Sequence, residues 1–113
     1  MQVPVASAEA ERQFADLLEA LAPEVQRKQM MGRPTLMAGR TMVACLNGDV
    51  LGIRLGRDTT VFADALAVGG AGVFTPGERR TFKDWVGIPV SSGDEWLRFT
   101  VAALEAAKRN GGG

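Results

Sequence analysis

From Ala10 the chain sets apolar residues at three- and four-residue spacing, so that Ala10, Phe14, Leu17, Leu18 and Leu21 share one face of a helix. Ser7 stands where an N-cap belongs, Glu9 and Glu11 suit the positive helix end, and Pro23 closes the run. A polar connection, EVQRKQMMGR, follows. The period then shortens, and strands are predicted over 33–38, 41–47 and 49–56 as a meander, with Asn47 and Gly48 forming a type I′ hairpin turn. Asp58 caps a second helix, TTVFADALAV, whose apolar face is Val61, Phe62, Ala65 and Leu66. GGAG ends that helix, and VFT and TFKDWVGIPV then flank a turn at Pro76 and Gly77, with GERR as a solvated hairpin tip. Ser92 and Glu95 have the spacing of a capping box for a last helix. That helix is lined by Trp96, Phe99, Ala103 and Ala107, widened by Leu97, Val101 and Leu104, and ended by Asn110 and the terminal glycines.

The resulting order, α-β3-α-β2-α, predicts an α+β two-layer sandwich, a mainly antiparallel sheet with helices on one side. A single domain over residues 1–113 is expected, with flexible ends at 1–6 and 111–113.

The strands are greasier than a sheet with one wet face requires. Leu51, Ile53 and Leu55 point one way and Val50, Gly52 and Arg54 the other, so the first set meets the helices. In the preceding strand Met42 to Leu46 is apolar on both faces, and later Phe82, Val86 and Ile88 alternate with Trp85. Helices on one side leave an apolar face behind, and such a face usually marks a partner or ligand. Val43, Cys45, Val50, Arg54 and Trp85 are its candidate residues.

Charge changes the picture locally. Thirteen basic residues balance thirteen acidic ones, so there is no overall positive field to draw nucleic acid. The segment from Arg27 to Arg57 nevertheless carries six basic residues against Asp49, while residues 1–26 carry one basic residue against five acids. Arg27, Lys28, Arg33, Arg40, Arg54 and Arg57 therefore form a candidate patch for an anionic partner, the competing account being that helix one neutralises the meander internally.

The chemistry is restricted by what is missing. There is no histidine and no tyrosine, which removes Ser-His-Asp and Cys-His sites and cysteine-histidine zinc centres. Cys45, the single cysteine, sits in an apolar strand as a buried thiol with a raised pKa. GGAG follows a helix and precedes a strand, the reverse of a phosphate loop. No catalytic residue, cofactor or metal is assigned, and the chain reads as a non-enzyme. With no secretory signal, no long apolar segment and one cysteine, it reads as soluble and cytoplasmic.

Two stretches carry a resemblance. KQMMGRPTLMAGRTMVACLNGDVLGIRLG resembles the opening and meander of the TfoX N-terminal domain family, and VFTPGERRTFKDWVGIPV its later hairpin, with Met31 and Gly32 matching part of the opening motif. The likeness runs from about Gln26 to Lys108 and points to a small stand-alone member. It implies the same element order, akin to secretion-chaperone-like domains, and a regulatory role without catalytic residues. The expected function is a non-enzymatic regulatory or protein-interaction module that forms a homodimer through the open sheet face, or binds another protein there. Nucleic-acid binding through Arg27–Arg57 and small-ligand binding are the alternatives, and no membrane partner is expected.

Overall fold

The computed structural model describes residues 4–77 and 80–109, with backbone only at Arg80. Glu78 and Arg79 of the expected hairpin tip, the first three residues, and the helix end expected at Asn110 with its glycines lie outside the described residues.

α1 spans Ala8–Leu21, and Ser7 caps it by accepting a hydrogen bond from the Ala10 N–H at 3.1 Å. Four strands follow: β1 Gln26–Met30, β2 Arg33–Ala38, β3 Thr41–Asn47 and β4 Val50–Arg54. α2 is Thr60–Leu66, β5 Gly72–Gly77 and β6 Arg80–Pro89. A 3-10 turn, Val90–Glu95, then leads into α3, Trp96–Arg109. The strands form one antiparallel sheet in the order β1-β2-β3-β4-β6-β5. The α+β class and the antiparallel sheet are as the pattern predicts.

Four local differences have physical causes. The expected polar connection contains β1, an edge strand whose Gln26, Arg27, Lys28 and Gln29 are exposed; such a strand has no alternating apolar signal, and charged residues suit a sheet edge. The hairpin turn lies at Gly48 and Asp49 rather than Asn47 and Gly48, because Asn47 pairs with Val50 and only Gly48 takes a positive φ. Thr59, not Asp58, caps α2, accepting from the Phe62 N–H at 3.1 Å. Ser92 is inside the 3-10 turn, where its hydroxyl donates to the Gly69 carbonyl, so it is not a cap for α3.

One face of the sheet meets all three helices. Phe14, Leu17, Phe62, Trp96, Phe99 and Leu104 pack there against residues that include Leu51 and Ile53 of β4 and Leu55 just beyond it. The Trp96 indole N–H donates to the Ile88 carbonyl at 3.0 Å, a buried tie between α3 and β6. Asp49 adds two ties at the same end of the sheet: its carboxylate accepts from the Ser7 N–H and its carbonyl from the Val90 N–H.

Candidate functional site

The face away from the helices is built from Val50, Gly52 and Arg54 of β4, paired with Pro89, Gly87 and Trp85 of β6. Cys45 opposite Gly52, and Thr35 opposite Cys45, continue the row across β3 and β2. Two facing glycines leave a trough, and the Phe74 side chain of β5 lies in it. A Cβ on Gly52 would stand 2.4 Å from the ring, which excludes a larger residue there while Phe74 is in place, and one on Gly87 would stand 2.9 Å from Val50 Cγ1 and 3.2 Å from the ring, crowding both. Phe74 stacks on Trp85 with centroids 6.0 Å apart, and Phe82 meets both rings edge-on. Such aromatic contacts are each worth ~0.5–1.5 kcal/mol beyond the area they bury. Cys45, Phe74 and Trp85 are thereby buried in a second core made of strand residues alone, bordered by the half-buried Met42, Val50 and Phe82.

The sheet curls to make this possible. In the strand order β2 and β5 are separated by three strands, which in a flat sheet would set them about 19 Å apart. Yet the Arg33 guanidinium of β2 donates to the Pro76 carbonyl of β5 at 2.8 Å and, through Nε, to Asn47 Oδ1 at 2.7 Å. The register of β5 on β6 jumps from Val73–Val86 to Phe74–Phe82, leaving Lys83, Asp84 and Trp85 outside that step. Irregularities of this kind bend and twist a strand pair, here turning the hairpin back across the open face.

The five candidate interface residues are thus split. Val43 lies against the helices, not on the open face, because β3 bulges between its pairings at Ala44 and Met42 and turns Val43 and Ala44 to the same side. Cys45 and Trp85 are on the open face but are 7% and 6% exposed, under the chain's own aromatic residues. Val50 is half-buried and Arg54 exposed. Phe82 belongs with Trp85 rather than with Val86 and Ile88, since the β6 irregularity reverses its side. Burial pushes the Cys45 thiol pKa up, partly countered by the Thr35 hydroxyl and the Arg33 charge.

The basic residues are also dispersed. Arg27 stacks over the Phe14 ring of α1 at 5.4 Å, whereas Lys28 is beside it on the opposite sheet face. Arg33 is used in the clasp. Arg57 binds Asp84 with its backbone N–H and with Nε at 2.9 Å, so the arginine holds the carboxyl below the usual aspartate range. Arg40, in the β2–β3 turn, and Arg54 are exposed and make no hydrogen bond or ion pair among the described residues.

At the end of the sandwich where β3 begins and β4 ends, a cleft of about 480 Å³ opens beside the last turns of α3. Its apolar lining is Val43, Leu55, Ala103, Ala106 and Ala107. Polar residues at the same cleft are Thr41, Arg54, Thr59, Asp84 and Arg109. Arg109 carries no motif that the sequence could have flagged, because its proximity to Arg54 arises only when α3 packs on β3 and β4.

Among the described residues no group of acidic and cysteine side chains is arranged to hold a metal ion, and no helix is long and apolar enough to cross a membrane. Comparisons of the chain with protein-family models, curated proteins and solved structures return no match.

Proposed function

We propose that the protein is a non-enzymatic regulatory or protein-interaction module that pairs with a second copy of itself across what remains of the open sheet face. The observation that carries this reading is the rim of half-buried Met42, Val50 and Phe82 around the aromatic core, on the one face without a helix. The contact is narrower than the sequence suggests, since Phe74 already occupies the centre. Arg54 borders it and supplies a polar edge. The regulatory part of the reading, and a cytoplasmic setting, rest on the TfoX-like motifs and on the free, buried Cys45.

Sedimentation velocity over a concentration series tests the pairing. A dimer that Val50→Asp dissociates, with the far-ultraviolet spectrum unchanged, is the expected result; a monomer at several hundred micromolar would remove the proposal.

Nucleic-acid binding is supported less. Arg27, Arg33 and Arg57 already have partners within the fold, which leaves Lys28, Arg40 and Arg54 of the six candidates for phosphate contacts. Absence of any complex with DNA or RNA at low salt, where phosphate contacts are strongest, would end that alternative.

A further inference from the structure

The cleft between β3, β4 and α3 has features that the fold does not need. Its floor is three alanines, Ala103, Ala106 and Ala107, at helical spacing on α3, and a larger side chain at the half-buried Ala106 would fill part of the space. The volume of about 480 Å³ lies within the range of small-molecule sites. Val43 and Leu55, each almost fully buried, supply apolar walls.

The charged groups at this cleft differ in how they are occupied. Asp84 is held by the Arg57 side chain and backbone, and Thr59 is committed to the α2 cap and to the Leu55 and Gly56 carbonyls. Arg54 and Arg109 are exposed and form no ion pair or hydrogen bond among the described residues. Arg12 pairs with Glu9, Arg98 with Glu95, and Arg33 with Asn47 and Pro76, while the exposed Arg40 shares with Arg54 and Arg109 the lack of a hydrogen bond or ion pair but lies outside the cleft. Among the described residues, two guanidiniums free of hydrogen bonds and ion pairs therefore stand at one small cleft, Arg54 sharing its charge with Asp84, whose carboxylate Arg57 already holds. The carbonyl end of α3 opposes an anion with roughly half an elementary charge, and the Asp84 carboxylate is offset by its pairing with Arg57, against the two positive charges of Arg54 and Arg109. Guanidinium groups bind carboxylate and phosphate oxygens through paired N–H donors.

We propose that this cleft binds a small organic dianion, a dicarboxylate or a phosphate monoester, with its anionic oxygens shared between Arg54 and Arg109 and its compact carbon body over Ala103, Ala106 and Ala107. The site does not depend on the homodimer proposed above. Arg54 would then serve a ligand rather than an extended basic patch.

Thermal unfolding and calorimetric titration of the full chain with succinate and with glycerol 3-phosphate test this, using succinamide, glycerol and inorganic phosphate as controls. Ligands that bind only the folded state raise the melting temperature as they saturate it. Saturable stabilisation by an organic dianion is expected, with no effect of the neutral analogues and weaker binding of inorganic phosphate. Arg54→Gln and Arg109→Gln should each weaken binding about tenfold, the equivalent of ~1.4 kcal/mol. Ala106→Leu should abolish it with both arginines retained, and Arg98→Gln, remote from the cleft, should change nothing. All these positions except Ala106 are exposed, and circular dichroism checks that each variant is folded. No saturable effect from either organic dianion, binding unchanged in both arginine variants, or inorganic phosphate binding as tightly as the organic anions would overturn the proposal.

Discussion

The Phe74 ring lies directly on the backbone of Gly52, so close that a Cβ on that glycine would fall 2.4 Å from a ring carbon. One residue comes from an edge strand and the other from the middle of the sheet, and their contact explains how the face without helices is closed. It also makes the second core open to test at several points.

Gly52→Ala should destabilise the fold by ~1–3 kcal/mol, the usual cost of forcing extra volume into packed side chains. Urea unfolding followed by tryptophan fluorescence measures this. An unchanged midpoint would mean that Phe74 does not rest on the glycine.

Phe74→Ala should cost ~3–5 kcal/mol as a large buried side chain is removed. It should also uncover Cys45, so a thiol reagent that reacts slowly with the parent protein should react at least tenfold faster with a folded Phe74→Leu variant. Equal rates would show that other residues shield the thiol.

Arg33→Lys keeps the charge but cannot reach Asn47 and Pro76 together, because lysine has one nitrogen in place of a planar fork. A loss of ~1–3 kcal/mol is expected from the unsatisfied, part-buried acceptors. Hydrogen exchange should quicken in β5 and the adjoining half of β6 while α1 and α3 keep their protection. Uniform exchange across the chain would contradict a local clasp.

Asp84 gives a pH-dependent prediction. Hydrogen bonds from Arg57 lower its pKa in the folded chain below the ordinary 3.8, so between the folded and unfolded values the unfolded chain binds more protons. Its stabilising contribution is complete above the unfolded value and disappears as pH falls through the folded one. Asp84→Asn should therefore lower the melting temperature modestly at pH 7, with the gap closing in strong acid. A gap independent of pH would assign the effect to the loop backbone rather than to the charge pair.

The sequence by itself determined the elements whose chemistry is local. The Ser7 cap and the stripe of Phe14, Leu17 and Leu21 follow from helical spacing, and Leu51, Ile53 and Leu55 from the period of two, because each pattern is complete within a few residues. The surplus of apolar residues in β3 and β6 was also visible, and it did signal a second buried face. What covers that face was decided only by tertiary structure. A β3 bulge moved Val43 to the helices, an irregularity in β6 moved Phe82 away from them, and the curl of the sheet brought Phe74 onto Gly52 and Arg33 to Pro76. These are contacts between residues 22 and 43 positions apart, set by strand order and register, which no single segment encodes. The meeting of Arg54 with Arg109 at one cleft has the same origin, since it requires the last helix to pack across the sheet.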